Sequence, residues 1–266
     1  MRNKLSPFLK TFMIFGYGFL YLPILTLIIF SFNSSRLVTV WQGFSTKWYT
    51  SLLHDEVLLK SAWVSLQVAT YAATFSVILG TLSAVALVRL GRFRGRQLFG
   101  VLTTAPLVMP EVITGLALLL LFVGLEQILG WPKGRGIVTI TIAHTTLCMA
   151  YVAILVRGRL ADMDRSLEEA ALDLGARPLK VFTAITLPLI SPALISGWLL
   201  AFALSLDDLV IASFVAGPGS STLPMVIFSS IRFGISPQIN ALATLIITFV
   251  AIGVMVAGWL MHRKRY

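Results

Sequence analysis

Six long apolar blocks, at about 12–32, 62–88, 99–125, 137–157, 189–214 and 239–261, constrain this 266-residue chain more than any other feature. Each reaches or exceeds the length of about 20 residues with which an α-helix crosses about 30 Å of hydrocarbon. Lipid offers no water to a bare amide or carbonyl, so a spanning segment must bond to itself as a helix or close into a barrel. Barrel strands would read as alternating segments of about ten residues, and no such segments occur. The charged fraction is 12%, about half that of soluble domains, and the mean hydropathy is +0.89. These observations predict an all-α, polytopic membrane protein with six transmembrane helices.

The net charge of +10 invites a nucleic-acid reading, but the distribution of the charges opposes it. With the termini and alternate loops assigned to one side, that side holds fifteen of the 21 Lys and Arg residues. They include Arg2, Lys4 and Lys10, the run Arg89 to Arg96, the loop from Arg157 to Lys180, and Arg263, Lys264 and Arg265. Excess Lys and Arg marks the cytoplasmic side, so both termini are expected inside, and the basicity is a topology signal with no nucleic-acid partner. Trp41, Trp48, Trp63 and Trp131 fall near the expected outer boundary and Trp259 near the inner one, as in the aromatic belts that sit at lipid headgroups. The run from Phe12 to Phe32 is too long for the h-region of a signal peptide and ends in a poor cleavage site, so it is read as a retained first helix. Cys148 is the single cysteine, and no metal-ligand spacing is present, so neither a metal nor another cofactor is expected.

Between Ser166 and Pro192 a polar, ordered stretch interrupts the lipid-compatible sequence. Ser166 and Glu169 have the spacing of a capping box. A helix from Leu167 would align Leu167, Ala170, Ala171 and Leu174 on one face, with Glu168 and Asp173 pointing elsewhere. Gly175 suits the left-handed position that ends a helix, and Pro178 can open the next one, with Leu179, Phe182 and Ile185 on its apolar side. Pro188 and Pro192 then lead the chain into the fifth block. Two short helices joined by a sharp turn are expected on the cytoplasmic face. Physics alone leaves two uses open: a docking element for another protein, or a surface loop folded back on its own helices.

The residues Glu169-Ala170-Ala171, then Gly175, Ile185 and Leu187-Pro188, meet every fixed position of the pattern E-A-A-x3-G-x9-I-x-L-P. This is the signature loop of the membrane subunits of bacterial ABC importers, and the chain resembles that family. Tyr21-Leu-Pro-Ile, Phe30-Ser-Phe-Asn-Ser-Ser, Ala105-Pro-Leu-Val-Met-Pro-Glu-Val-Ile-Thr-Gly, Ser205-Leu-Asp-Asp-Leu-Val-Ile-Ala-Ser-Phe and Asn240-Ala-Leu-Ala-Thr-Leu extend the resemblance to the putrescine/spermidine permease group over nearly the whole chain. The resemblance implies a type-I importer permease fold, with 12–32 as first transmembrane helix, 61–261 as permease domain and 158–188 as cytoplasmic coupling loop. It further implies that Glu169, Ala170, Ala171 and Gly175 seat on a separate ABC ATPase, present in two copies, within an ATPase-coupling loop that also includes Ile185, Leu187 and Pro188. A second homologous permease, a soluble polyamine-binding protein outside and the surrounding lipid complete the implied partners. No G-x-x-x-x-G-K-[ST] phosphate loop, H-E-x-x-H or G-x-S-x-G occurs, so the chain is expected to be non-catalytic, with ATP hydrolysed elsewhere.

Three carboxylates lie within the apolar blocks: Glu111, Asp207 and Asp208. Placing such a group near a helix centre costs about 2.5–3.5 kcal/mol on insertion scales. They are expected either to bond neighbouring helices or to line a wet path that attracts a cation, with Glu111 near mid-membrane. Carboxylates and aromatic faces complement a chain of ammonium groups, and two adjacent aspartates on one helix diverge by about 100°, so one of them would face the path. Pro106 and Pro110 disturb the helix near Glu111. His144 is read as a hydrogen-bonded packing residue. Another cationic cargo such as ferric iron, or ion-coupled transport without an ATPase, would also account for embedded acids.

Overall fold

The structure is a computed structural model that describes residues 6–37, 40–233 and 237–263. Its helices, in chain order, are α1 (Pro7–Ser31), α2 (Lys47–Leu53), α3 (Glu56–Arg89), α4 (Arg96–Thr104), α5 (Glu111–Leu129), α6 (Ile137–Asp162), α7 (Ser166–Asp173), α8 (Pro178–Val181), α9 (Leu187–Asp207), α10 (Val210–Val215), α11 (Leu223–Phe233) and α12 (Pro237–Arg263). The described residues contain no strand, only an isolated bridge between Asn33 and Phe44. Five helical runs, 8–31, 56–89, 111–129, 137–162 and 178–207, are long and apolar enough to cross a membrane, and α12 adds 27 residues. This is the architecture of a multi-pass membrane protein. Arg2, Lys4, Lys264 and Arg265 lie outside the described residues, as do the side chains of Trp259 and Arg263.

The described residues fall into two compact units, one drawn from 1–59 and 227–266, the other from 60–226. In the first, α12 packs on α1 and α2, while Phe12, Phe15, Phe19 and Leu22 of α1 stay exposed, as a lipid-facing helix requires. The chain leaving α1 is folded around one buried side chain. The Asn33 amide oxygen accepts from the backbone amides of Ser35 (3.1 Å) and Gln42 (3.0 Å), and its NH2 donates to the Val40 carbonyl (2.7 Å). The Trp48 indole donates to the Asn33 carbonyl at 2.6 Å, and its ring is buried in the cap. Phe32 stacks on Phe44 at 5.3 Å. The chain between the first two apolar blocks thus forms a compact cap containing α2.

In the second unit α6 is the central helix, with Ile140, Ala143, Cys148, Ala150, Val152, Ala153, Val156 and Leu160 all buried. Between helices in lipid the hydrophobic effect supplies no drive, so close backbone approach and interhelical hydrogen bonds must hold the bundle. Gly80 of α3 meets this need: a Cβ there would lie 2.9 Å from the Met149 carbonyl oxygen. Ser76 donates to the Thr145 carbonyl (3.3 Å) nearby. On another side Gly197 of α9 lies against Val152. The short α10 rests on both α6 and α5: Thr139 Oγ1 donates to the Val215 carbonyl at 2.7 Å, and a Cβ on Gly115 would meet the Phe214 ring at 2.7 Å.

Two expected continuous blocks are broken. The run 99–125 divides into α4, a short 3-10 turn at Ala105–Leu107 and α5, because Pro110 (φ −58°, ψ 135°) stands outside helical geometry and α5 begins after it. The run 189–214 divides at Asp208, whose ψ of 120° ends α9 before α10 starts. Conversely, the segment from Pro178 is not a separate helix. Residues 178–207 form one helical run with a π-turn at Phe182–Thr186. Pro188 has no amide for the Ala184 carbonyl, and the Leu187 amide shifts register to reach Phe182 instead. Pro192 likewise leaves the Pro188 carbonyl without an amide, and the Ser191 hydroxyl takes that place at 2.8 Å.

Asn33→Ala should destabilise the cap by about 2–4 kcal/mol, since several buried backbone groups lose their partners at once. Thermal unfolding in detergent should shift downward, and trypsin should cut at Arg36 faster than in wild type.

Candidate functional site

The polar loop between α6 and α9 is held by three local devices. At its start Ser166 is already helical and its hydroxyl caps nothing; the N-cap position falls on Arg165. The expected capping box therefore does not form. Asp164 does the work instead, its carboxylate accepting from the Ser166 amide at 3.0 Å. That amide first, and the Ser166 hydroxyl second, hold the Asp164 carboxyl below the usual carboxylate range. The depressed value means that this cap is intact at neutral pH and is lost only as acidification passes through it.

At the other end of α7 the chain closes in a Schellman motif. The Gly175 amide donates to the Leu172 carbonyl (2.9 Å) and the Ala176 amide to the Ala171 carbonyl (3.1 Å). Gly175 sits at φ +85° with open space around it, so conformation and not crowding requires glycine there. Pro178 then takes the first turn of α8, as expected.

The third device joins segments remote in sequence. Glu168 turns inward, its Oε2 lying 2.8 Å from Arg89 Nε at the end of α3 and its Oε1 accepting from the Thr186 hydroxyl at 2.6 Å. Its place between Ala171 and Leu172 on the helical wheel was the available signal. Arg89 read only as a topology charge, and Thr186 carried no signal at all.

With Glu168 facing in, the rest of α7 faces out. Glu169 and Ala170 are exposed, Ala171 is half-buried, and Leu167, Leu172, Leu174 and Leu179 are exposed, Leu174 at 90%. Ile185 and Leu187 are half-buried in the π-turn and the start of α9, and Pro188 is exposed. The arrangement is a small knob, hydrogen-bonded at both ends, with an apolar and acidic outer surface.

The three embedded acids occupy the two helix breaks. Glu111 is exposed and is the first residue of α5, not the middle of a continuous helix. Asp207 is exposed and is the last residue of α9. Asp208 is buried; its Oδ1 accepts from the Ala212 amide at 2.8 Å and lies 3.2 Å from His144 Nε2, at ion-pair distance. His144 Nδ1 is hydrogen-bonded to the Ser205 hydroxyl at 2.7 Å. Asp208 therefore ties α6, α9 and α10 together, while its neighbour faces away. Among the described residues no group of His, Cys, Asp and Glu is placed to hold a metal ion.

The chain is similar to known proteins. Residues 76–263 match the family described as binding-protein-dependent transport system inner membrane component. The chain is 60% identical over 258 residues to the putrescine transport system permease protein PotI of Escherichia coli (strain K12), covering 97% of this chain and 92% of that protein. It is 40% identical over 254 residues to the spermidine/putrescine transport system permease protein PotC of the same strain, covering 96% and 93%. Its fold matches a chain in the crystal structure of a bacterial ABC transporter involved in the import of the acidic polysaccharide alginate, with a TM-score of 0.71 at 20% identity over 96% and 94% of the two chains. An inward-facing MetNI methionine ABC transporter matches with a TM-score of 0.61 at 16% identity, covering 78% of this chain and 95% of that one. The match over 71% of the chain length and the extent of identity to two transport permeases lead to one conclusion: the chain belongs to the family of binding-protein-dependent transport system inner membrane components.

Proposed function

We propose that this chain is a permease subunit of an ATP-driven importer that carries a polyamine, putrescine first and spermidine second, across the bacterial inner membrane. The observation that carries the transport reading is the signature loop, presented on a doubly capped helix with Glu169, Ala170 and Leu174 turned outward. The cargo reading is supported by the relatives at 60% and 40% identity, which are permeases of a putrescine and a spermidine/putrescine transport system. In this reading six helices span the bilayer with both termini inside, 61–261 forms the permease domain, and the loop at 158–188 faces the cytoplasm. Its outer surface, with Gly175 fixing its end, docks on an ATPase subunit, and Ile185, Leu187 and Pro188 shape the entry to α9. A second permease, two ATPase copies and an external binding protein complete the complex. ATP hydrolysis belongs to the ATPase, and this chain supplies the path and the coupling surface.

The two breaks supply the chemistry for a cation. A helix C-terminus carries a partial negative charge from its unpaired carbonyls. Asp207 adds a carboxylate to that end of α9, which is unfavourable for the helix alone and favourable for a passing ammonium group. Glu111, exposed at the start of α5, offers a second carboxylate. Asp208 is already engaged with His144 and the Ala212 amide, so in this path it shapes the break and Asp207 meets the cargo.

Labelled putrescine uptake tests both parts. Asp207→Asn and Glu111→Gln should each lower uptake at least tenfold at unchanged thermal stability, whereas Asp208→Asn should lower the unfolding temperature. Wild-type uptake in the first two removes them from the path. Gly175→Ala, strained by roughly 1–2 kcal/mol in the left-handed region, and Glu169→Lys should leave the protein inserted and reduce both uptake and recovery of the ATPase with the tagged chain. Full transport by both variants would sink the docking assignment.

A further inference from the structure

The docking reading leaves open how force applied to α7 would reach the membrane helices. α7 has no buried residue of its own, and Glu168 supplies side-chain polar bonds that tie it to α3 and to the π-turn. Glu168 uses each of its two oxygens on a different chain segment: Oε2 on Arg89, the last residue of α3, and Oε1 on Thr186, the last residue of the π-turn that leads into α9. The Arg89 and Glu168 side chains are 14% and 15% exposed, and Thr186 is buried. A charge pair in such surroundings resists separation, since removal of either partner leaves a poorly solvated charge behind.

Other helical threonines here, Thr70, Thr74, Thr146 and Thr183, return their hydroxyl to the carbonyl four residues back. Thr186 donates to Glu168 instead, in a π-turn where helical register is already altered. The joint therefore spans a stiff 34-residue helix on one side and a locally widened turn on the other.

We propose that Glu168, with Arg89 and Thr186, is the positioning joint that transmits displacement of the docking knob to α3 and α9. It turns movement of one short helix into coordinated movement of two membrane helices, while Glu169 and the exposed leucines make the external contact. The proposal rests on the docking reading above, and the two fail differently.

The test uses the complete complex reconstituted in proteoliposomes, with labelled putrescine and ATP hydrolysis followed together. Glu168→Gln keeps an acceptor for Thr186 and removes the charge; Glu168→Ala removes both. Co-purification of the ATPase should equal wild type in each, while uptake falls at least threefold for Gln and tenfold for Ala, and the ATP hydrolysed per putrescine imported rises in step. The charge-exchanged pair Arg89→Glu with Glu168→Arg should recover uptake to within threefold of wild type. Wild-type uptake and stoichiometry for Glu168→Ala would overturn the joint. Loss of ATPase binding by Glu168→Ala would also overturn it, by placing Glu168 in the docking contact. Failure of the unaltered chain to retain any ATPase would instead remove the docking reading beneath it.

Discussion

Every backbone amide and carbonyl placed in lipid must find a partner within the protein, and the organisation of this chain follows from how it meets that demand where its helices cannot be regular. At Pro188 the ladder shifts to a π-turn, and at Pro192 a serine hydroxyl substitutes for the missing amide. After Pro110 the helix restarts, the Ile113 and Thr114 amides bonding the Pro110 carbonyl. At Asp208 a carboxylate satisfies the Ala212 amide and is steadied by His144. The amides missing at Pro188 and Pro192 are thus compensated locally, and beyond the break at Asp208 the Ala212 amide is satisfied by that carboxylate.

The breaks and the loop share a scaffold. α6 supplies the packed centre, with glycines of α3 and α9 drawn against its middle around Met149 and Val152. The parts suited to function lie at the margins of that centre: Asp207 and Glu111 at helix ends, and α7 beyond the end of α6. Rigid packing in the middle with polar, lightly buried elements at the edge lets the edge move without unpacking the core. In the proposed importer this separates the element that feels the ATPase from the element that feels the cargo, and leaves α3 and α9 to connect them.

Much of this was readable in the residues. Block length and low charge demanded a helical membrane protein, and glycine at 175 demanded a left-handed helix end, which the Schellman bonds supply. The misreadings share a cause. Ser166 has the chemistry of a cap, but Asp164 lies two residues earlier and its carboxylate is the stronger acceptor. Periodicity could not tell Asp207 from Asp208, because the choice depends on a backbone break that brings Asp208 to a histidine 64 residues earlier in sequence. Glu168 looked like a solvated charge because its partners, at 89 and 186, are remote in sequence. Local rules are legible one helix at a time; side-chain pairs between distant segments are not.

The central claim is that the outer surface of α7 is where an ATPase seats. Its most exposed large side chain is Leu174, at 90%, while Val181 in the next turn of chain is buried at 5%. A cysteine placed at Leu174, in membranes containing the whole complex and treated with a short thiol crosslinker, should join this chain to the ATPase with a yield that changes on adding nucleotide, and a cysteine at Val181 should not. Absence of any adduct from Leu174, with the ATPase present and its own thiols reactive, would contradict the account.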